Sequence, residues 1–355
     1  TNSIWELEQS ASFLVVSSNI TEEQNVVAVP IKKALKTGAK LIVIDQRETE
    51  LSRHAHIWLR PKPGCEGLLI GAMLRVILDE SLDDHDFLAD YCDGIEQFRN
   101  SLWAFDLLKI ASITGVQPSE VQHAARLFAT NNPAAILYAL ETMQHTSHEE
   151  TTRALVNLAL ATGNLGKPST GLFPLFTGAN EQGSKDIGCS PDYLPGYAQV
   201  SDAKARERFR VAWNSNIPST KGRALLEMPN AIRQGHVKAM LVIGDSPNFT
   251  NGQLGDFLET AKSLEFLAVQ GAFTSELTNL ADVILPSATF AESEGTYTNL
   301  ERRVQLLRPF LGPKGEEEVD WRIISQIAKR MGAPGFDYQD SEAVFEEAKG
   351  LVDIY

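Results

Sequence analysis

The stretch "ASFLVVSSNITEEQNVVAVPIKKALKTGAKLIVID", residues 11–45, decides the fold. It opens with a short apolar run (11–19) that is typical of a buried strand. A helical pattern (23–38) follows and stops at Gly38, and a second apolar run (39–45) closes the stretch. A strand, a helix and a strand in this order predict one βαβ unit, whose two strands are parallel.

The same alternation continues through the rest of the sequence. The apolar runs are continuous, as expected of strands that are buried on both faces of a parallel sheet. Further strands are predicted at 133–141, 238–247, 265–270 and 281–286. Further helices are predicted at 65–80, 119–130 (with Ser119 as N-cap), 148–163, 222–235, 255–264, 319–332 and 341–352. The sequence therefore predicts an α/β fold with mainly parallel sheets.

A glycine- and proline-rich segment, residues 163–197, interrupts the alternation. Structureless loops of this length are uncommon inside a compact domain unless they connect domains or serve a function. We therefore expect this segment to join two domains and to cover a site. The predicted organisation is two α/β domains, 1–178 and 179–290, followed by a return segment with C-terminal helices, 291–355.

Composition excludes several classes of function. The chain has 355 residues and a formal net charge of -14, which argues against a nucleic-acid partner because phosphate binding depends on clustered Lys and Arg. Its apolar runs are too short for a membrane span. The cysteines Cys65, Cys92 and Cys189 lie far apart, so their spacing predicts neither a zinc site, nor an iron–sulfur cluster, nor a disulfide framework. A cytoplasmic protein is the resulting expectation.

Candidate binding residues follow the predicted strands. In open parallel sheets, ligands bind at the carboxyl ends of the strands, where loops and helix N-termini present polar groups. A nucleotide is therefore expected near the residues that come directly after each strand. These are Ser17, Ser18, Asn19 and Glu22; Asp45 and Arg47; Glu141 and Gln144; and Gly244, Asp245 and Ser246.

Simpler roles compete with ligand binding at these positions. Asn19 and Asp45 could cap the following helix or turn. Asp45 also suits a ribose hydroxyl or the N–H edge of guanine, although "SSNITEEQ" (17–24) stands where a GxGxxG fingerprint would be. Neither a phosphate loop nor a GxSxG elbow is present, and the pairs His54/His56 and His145/His148 fit surface or packing roles better than metal ligation. The residues alone indicate nucleotide-like clefts without a catalytic centre.

Longer segments resemble a known family. "GAKLIVIDQRETELSRHAHIWLRPKPG" (38–64), "LATGNLGKPSTGLFP" (160–174) and "ADVILPSATFAESEGTYTNLERRVQ" (281–305) are similar, in the same order, to the molybdopterin oxidoreductase family. That family includes the large subunits of formate dehydrogenases and the G subunit of NADH:quinone oxidoreductase (NADH dehydrogenase). Other similar segments lie over essentially the whole sequence, so the resemblance does not depend on one motif.

The resemblance implies a cofactor and a set of binding residues. In the family, a bis(molybdopterin guanine dinucleotide) lies between two pseudo-symmetric α/β domains, each of which holds one guanine nucleotide at its strand ends. By position, Gln144 would line the pterin side of the site. The other residues that the resemblance assigns to cofactor binding are Asn19, Glu22, Asp45, Arg47, Gly64, Glu66, Gly244 and Ser246.

The resemblance also implies partners outside these residues. The family's [4Fe–4S] segment and the Cys or selenocysteine that ligates the metal would precede Thr1, and a β-rich domain would follow Tyr355. We therefore expect that the chain alone holds no metal and at best a partial dinucleotide site, and that it does not turn over by itself. Other redox subunits are the expected further partners, at the cytoplasmic face of a membrane that the chain itself does not span.

Two departures from the family pattern bear on the reaction. Phe176, in "GLFPLFTGANEQG" (171–183), stands where formate dehydrogenases have an arginine that steadies the anionic substrate, and Glu141 replaces a usual glycine. Both favour an electron-transfer scaffold similar to the G subunit. The alternatives are a formate dehydrogenase large subunit that binds the cofactor and a non-enzymatic nucleotide-binding module. The stretch 294–309 is expected to be a docking loop that is poorly ordered without its partner.

Overall fold

A computed structural model describes residues 1–139, 148–244, 251–312, 314–353 and 355, with the backbone alone at 148 and 251–253. The chain divides into two compact units. Unit 1 comprises Thr1–Ala179 with Leu300–Arg303, and unit 2 comprises Asn180–Asn299 with Val304–Tyr355. Each unit contains helices and a parallel sheet, and unit 2 has two antiparallel strand pairs in addition, which confirms the predicted α/β class with mainly parallel sheets.

Unit 1 is built on a five-stranded parallel sheet. Its strands are β1 Ser12–Val16, β2 Lys40–Ile44, β3 Ile57–Leu59, β4 Ala134–Tyr138 and β5 Gly171–Pro174. The spatial order is β3-β2-β1-β4-β5, and the predicted pairing of β1 with β2 is parallel, with Val16 opposite Ile44. The polypeptide leaves β1 towards β2 and later returns to β4 on the other side of β1. Ligands of open α/β sheets bind at such a reversal of strand order.

Helices surround this sheet. They are α1 Ile20–Glu23, α2 Asn25–Lys36, α3 Glu50–Arg53, α4 Glu66–Asp79, α5 His85–Tyr91, α6 Ile95–Ser101, α7 Leu107–Thr114, α8 Pro118–Thr130 and α9 His148–Ala161. One predicted cap is wrong. Ser119 lies inside α8, and Gln117 occupies the N-cap, its backbone N–H donating to the Glu120 carboxylate at 3.0 Å. Pro118 at the first helical position explains the earlier start, because its ring presets a helical φ.

Each face of the sheet packs against its own hydrophobic core. Leu14 and Val16 of β1 belong to a core with α4, α8 and α9, whereas Phe13 and Val15 belong to a second core with α2. Every residue of β1 is buried. Successive side chains of a strand point to opposite faces, so a strand between two cores must be apolar throughout. This is why the continuous apolar runs predicted the parallel sheet.

A close approach between α4 and the turn before α7 gives a first prediction. A methyl group built at Gly71 would overlap the Phe105 ring, lying 2.8 Å from its Cζ. Overpacking typically costs about 1–3 kcal/mol, while replacing a helical glycine by alanine gains up to about 1 kcal/mol. We therefore expect Gly71→Ala to lower the free energy of unfolding by about 1–2 kcal/mol in urea titrations.

The matched control is Gly255→Ala in a helix of unit 2, where the added methyl group meets no described atom within 4 Å. That variant should be neutral or slightly stabilised, since only the helix propensity changes. Combining Gly71→Ala with Phe105→Ala should cost less than the sum of the two single changes. A Gly71→Ala protein as stable as the wild type would show that the ring moves aside freely.

Unit 2 contains a smaller parallel sheet of β8 Ala239–Ile243, β9 Phe266–Gly271 and β10 Val283–Pro286, in the order β10-β9-β8. Two antiparallel pairs accompany it: β6 Tyr193–Leu194 with β7 Ala198–Gln199, and β11 Gly295–Thr298 with β12 Val304–Leu307. Its helices are α10 Glu181–Asp186, α11 Ala203–Trp213, α12 Met228–Arg233, α13 Asn251–Ala261, α14 Asp320–Arg330 and α15 Ser341–Leu351.

Three expectations differ from the structure. Residues 163–197 are not a structureless loop, because they supply β5, α10 and β6, which pairs with β7 directly after the segment. The stretch 294–309 forms the β11–β12 hairpin rather than a disordered loop, and the Glu301 carboxylate accepts hydrogen bonds from Ser3 Oγ and Ile4 N within unit 1. Within unit 2, the sheet is covered on one face, while Leu241, Ile243 and Phe266 remain exposed.

None of the helices that the structure describes has the length and apolar character that crossing a bilayer demands.

Candidate functional site

Two serine hydroxyls are buried at the carboxyl end of β1. Ser17 has a left-handed backbone, with φ of +51°, and its N–H donates to Ile44 O at 2.9 Å. The hydroxyl groups of Ser17 and Ser18 are buried and have no hydrogen-bond partner among the described residues. Non-glycine residues with this backbone and buried polar groups without partners both cost free energy, and both are typical of functional sites.

Asp45 directly follows β2, and among the described residues one of its carboxylate oxygens has a hydrogen-bond partner while the other has none. The side chain is 4% exposed, and its Oδ1 accepts a hydrogen bond from the Arg47 backbone N–H at 2.8 Å. The predicted turn-capping role is therefore real. The second oxygen, Oδ2, is buried and meets no hydrogen-bond donor in the described part of the protein. Capping alone does not account for it, because an unpaired buried carboxylate oxygen is costly.

Neighbouring residues hold the Asp45 turn in place. Trp58 Nε1 donates to the Asp45 carbonyl at 2.8 Å, and the Arg60 guanidinium lies 4.6 Å from the centre of the Trp58 ring. Gln46 Nε2 donates to Glu66 Oε1 at 2.7 Å. Glu66 is fully buried at the first residue of α4, where its negative charge interacts favourably with the helix dipole. These contacts hold the backbone of the turn that carries Asp45.

Arg47 and Gly64 follow the neighbouring strands β2 and β3, respectively. The Arg47 side chain is 65% exposed, with its Nε 3.7 Å from Asp45 Oδ1. This position leaves most of the guanidinium accessible to an anion. Gly64 is half-buried and has φ of +77°, a conformation that favours glycine, in the turn that leads into α4.

The side chain of Asn19 does not cap helix α1. Asn19 occupies the N-cap of α1, but its side chain makes no capping hydrogen bond, and Oδ1 accepts instead from Thr21 Oγ1 at 3.3 Å. Glu22 is exposed on the same short helix. Both residues follow β1, and the pairing of Val16 with Ile44 places the ends of β1 and β2 side by side.

Some predicted residues lie outside the described part of the protein. These are Glu141 and Gln144 after β4, and Asp245 and Ser246 after β8. Gly244, the described residue directly after β8, has φ of +117°, and its N–H donates to Gln270 O at 2.8 Å. His145 also lies outside the described residues, as does the side chain of His148.

Three further polar residues were missed by sequence reasoning. In unit 1, Thr151 of α9 is fully buried, and its hydroxyl has no hydrogen-bond partner among the described residues. In unit 2, Gln270 and Ser287 lie at the carboxyl ends of β9 and β10. Gln270 Nε2 donates to Asp320 Oδ1 at 2.8 Å, whereas Gln270 Oε1 and Ser287 Oγ are buried without a described partner. For Gln270 and Ser287, position at the carboxyl end of a strand was the only signal in the sequence.

Within the first histidine pair, His56 makes a structural hydrogen bond, which gives a prediction on pH. His56 Nδ1 accepts a hydrogen bond from the Leu41 backbone N–H at 3.2 Å. Partial desolvation of this otherwise exposed ring, and to a lesser extent the Lys40 ammonium, lowers the pKa of His56 below its ordinary value of 6.5. The neutral ring is therefore favoured in the folded protein. Its stabilisation is present above the unfolded pKa and is lost as the pH falls through the folded pKa, because protonation removes the acceptor.

We expect the wild type to lose more stability than His56→Asn when the pH is lowered from about 7.5 to about 5.5. Asparagine retains an acceptor and does not titrate. Urea unfolding at both pH values measures the difference, with His54→Asn, at a neighbouring position that is exposed like His56, as the control. Equal losses in the wild type and His56→Asn would remove His56 from the pH dependence.

The polar residues that follow β1 and β2 in unit 1 are suited to binding a ligand. They are Ser17, Ser18, Asp45 and Arg47. These residues present a buried carboxylate acceptor, two hydroxyl groups and an exposed guanidinium, which together match the ribose or base and the phosphates of a nucleotide. Among the residues that the structure describes, no group of three or more His, Cys, Asp or Glu side chains could hold a metal ion. The described geometry therefore supports ligand binding, with no metal centre built from these residues.

Comparison with known proteins gives consistent results. The family model for molybdopterin oxidoreductases matches residues 1–330. Formate dehydrogenase H of Escherichia coli K12 is 36% identical over 351 residues, which cover 99% of this chain and 49% of that protein. The F420-dependent formate dehydrogenase subunit alpha of Methanocaldococcus jannaschii is 35% identical over 356 residues, with coverages of 100% and 52%. The chain thus spans about half the length of the curated relatives that it matches.

The fold is shared with a solved structure. Acetylene hydratase from Pelobacter acetylenicus superposes with a TM-score of 0.75 at 22% identity, covering 98% of this chain and 53% of that one. At this identity the likeness concerns the fold alone.

Proposed function

This chain belongs to the molybdopterin oxidoreductase family, and on that premise we propose that it is the central body of a formate dehydrogenase large subunit. In this proposal, the strand ends of unit 1 hold one guanine nucleotide of a bis(molybdopterin guanine dinucleotide), and those of unit 2 hold the other. Relatives named as formate dehydrogenases, at 35–36% identity over essentially the whole sequence, support this function over the G-subunit-like scaffold that the sequence departures favoured.

One observation carries the nucleotide-binding part of the proposal. Asp45 Oδ2 is a buried carboxylate oxygen, at the end of the strand next to β1, that lacks a hydrogen-bond partner among the described residues. A guanine N–H or a ribose hydroxyl supplies the donor that this oxygen lacks. The cofactor thus fits the residues present, because its polar groups satisfy an atom that would otherwise be costly to bury.

The other strand-end residues of unit 1 complete the proposed site. Ser17 and Ser18 offer hydroxyl groups to the phosphates, and the exposed Arg47 guanidinium offsets part of their charge. Asn19, Glu22, Gly64 and Glu66 stay in the proposal as residues that surround the nucleotide. Glu66 acts indirectly, through its hydrogen bond from Gln46.

The remaining assigned residues concern the pterin and the second nucleotide. Gln144 is proposed to line the pterin side, and Gly244 and Ser246 are proposed to lie at the turn after β8. When bound, the cofactor supplies a metal centre that exchanges two electrons with the substrate. The residues of this protein bind and orient the nucleotide ends.

Phe176 favours a second candidate function. This half-buried residue stands where formate dehydrogenases place a substrate-binding arginine, and its carbonyl accepts from Gln24 Nε2 at 3.3 Å. A phenyl ring cannot pair with the charge of formate. An electron-transfer scaffold without formate oxidation is therefore the second candidate, and Phe176 is the observation that favours it.

The proposed setting of the whole protein follows from the family. We place it in the cytoplasm, with an iron–sulfur domain, a C-terminal domain of the same protein and other redox subunits as partners. The relatives are about twice as long as this chain, which leaves room for such domains.

The decisive experiment uses the full-length protein purified anaerobically. Formate-dependent dye reduction is measured together with molybdenum, tungsten and guanine nucleotide content. A formate dehydrogenase should show formate oxidation with close to one metal and two guanine nucleotides per polypeptide. Stoichiometric iron–sulfur clusters without metal, nucleotide or formate oxidation would support the scaffold instead.

A further inference from the structure

Unit 2 carries a surface cavity that the proposed function does not use. It has a volume of about 500 Å³ and lies between the C-terminal end of α11 and the segment that precedes α15. Trp213, Phe336 and Tyr338 line it with aromatic rings, and the small residues Ala333 and Gly335 leave the space open. A volume of this size is within the usual range for ligand pockets.

A single carboxylate is fixed at the wall of this cavity. Glu347 Oε1 accepts a hydrogen bond from Trp213 Nε1 at 3.0 Å, and Oε2 accepts one from the Tyr338 hydroxyl at 2.6 Å. Each carboxylate oxygen has a second lone pair, so both can accept a further hydrogen bond. The Glu347 side chain is exposed, which makes its charge accessible from the open side of the cavity.

The Tyr338 hydroxyl stays protonated over the physiological pH range, so its hydrogen bond to Glu347 is retained. Burial, the hydrogen bond to Glu347 and the charge of that carboxylate raise the pKa of Tyr338 to about 12. The phenol therefore stays protonated and continues to donate at any physiological pH. Glu347 is thus held in one orientation, with its two hydrogen bonds directed to the aromatic residues.

Aromatic walls around an oriented carboxylate select a cation. The faces of Trp and Tyr rings attract positive charge, and a carboxylate pairs with two parallel N–H groups. A guanidinium satisfies both requirements, since it is planar, stacks on rings and presents paired donors, whereas an ammonium is a strongly hydrated point charge. The net charge of -14 further favours a basic ligand.

We propose that this cavity binds the guanidinium of an arginine side chain on a partner polypeptide. The strength of the interactions decides between a peptide and a free small molecule. Cation–π contacts and ion pairs at exposed positions are individually weak, so a free guanidinium compound would bind poorly. An arginine carried by a polypeptide adds contacts from its neighbours and occupies the cavity at lower concentration.

The first test titrates the 355-residue protein with Nα-acetyl-arginine methylamide while the indole N–H signal of Trp213 is followed by NMR. We expect saturable binding in the roughly millimolar range, and binding at least about tenfold weaker for the uncharged citrulline analogue. The lysine analogue should bind at least about threefold more weakly than arginine. Equal binding of the arginine and citrulline analogues would overturn the cation site, and equal binding of arginine and lysine would overturn the guanidinium assignment.

Two variants separate the site from general folding effects. Glu347→Gln removes the charge and should weaken arginine binding about tenfold. Ala212→Leu fills the cavity from the exposed side of α11 without removing either hydrogen bond of Glu347, and it should abolish binding. Ala203→Leu, on the same helix and outside the cavity lining, is the matched control. If Ala212→Leu folds and still binds the arginine analogue, the cavity is not the site.

The source of the arginine is tested with peptides. An array of acetylated heptapeptides with a central arginine and varied flanks is compared with the same array carrying citrulline. At least one arginine peptide should bind about tenfold more tightly than the free analogue, and its citrulline version should not. If no peptide exceeds the free analogue, the occupant is a small guanidinium compound and the polypeptide assignment is wrong.

Discussion

Full-length protein carrying Asp45→Asn should hold the guanine nucleotide proposed for unit 1 about 10- to 100-fold more weakly than the wild type, because a hydrogen bond to a charged group contributes about 1.5–3 kcal/mol. The substitution is selective. Asparagine retains one oxygen that can accept from the Arg47 N–H, as Asp45 Oδ1 does at 2.8 Å. Its amide group replaces the second oxygen, so the proposed acceptor for the nucleotide is lost while the turn is kept.

Nucleotide retention is measured by extensive dialysis of the purified protein, followed by acid release and chromatographic quantification of guanine nucleotide per polypeptide. Asp90→Asn, at an exposed position on α5, provides the same chemical change away from the strand ends. It should retain the wild-type amount. Equal retention by Asp45→Asn and Asp90→Asn would mean that the unpaired oxygen of Asp45 does not contact the nucleotide.

The largest effect on stability is expected for Phe13→Ala. Phe13 lies in the central strand β1 and is 0% exposed, in the core formed with α2. Truncating a buried phenylalanine removes its transfer free energy and leaves a cavity, which together cost about 3–5 kcal/mol. Urea unfolding followed by circular dichroism should show this loss in the transition that belongs to unit 1.

Phe273→Ala serves as the control, since Phe273 is 67% exposed in unit 2. Surface substitutions of this kind usually change the free energy of unfolding by less than about 0.5 kcal/mol. A Phe13→Ala protein within about 1 kcal/mol of the wild type would indicate that the core around β1 collapses onto the space, contrary to the packing described above.

The parts of the fold that sequence predicted share one physical property. Strands β1 and β2 lie between two cores, so nearly all of their side chains are buried and their apolar runs are continuous. Strand β5, Gly171–Pro174, was missed because four residues that include a glycine and a proline carry no periodic signal. It joins the sheet through its pairing with β4, a contact that becomes visible only in three dimensions.

The candidate site was likewise predicted from the sequence only in part. Position after a strand indicated Asp45 and Asn19, and the topology does place both at the carboxyl edge of the sheet. The sequence could not show that Asp45 Oδ2 lacks a partner among the described residues while Oδ1 has one, because burial and pairing depend on the tertiary surroundings. The same applies to Thr151, which lies on helix α9, distant in sequence from the strand ends.

Single residues and the similarity of the whole sequence favour different functions. Phe176 and Glu141 led the sequence interpretation towards an electron-transfer scaffold, although each is a single position. Similarity to formate dehydrogenases extends over 99–100% of the sequence and favours the alternative. A single side chain can change substrate preference without changing the cofactor, so Phe176 bears on the substrate rather than on the family.

The most direct test of the proposed nucleotide site is a crystal structure of the cofactor-loaded full-length protein. A guanosine donor should lie within hydrogen-bonding distance of Asp45 Oδ2, roughly 2.6–3.2 Å, with the nucleotide at the carboxyl ends of β1 and β2. A guanine nucleotide bound elsewhere, with Asp45 Oδ2 still without a donor from it, would contradict the proposed site.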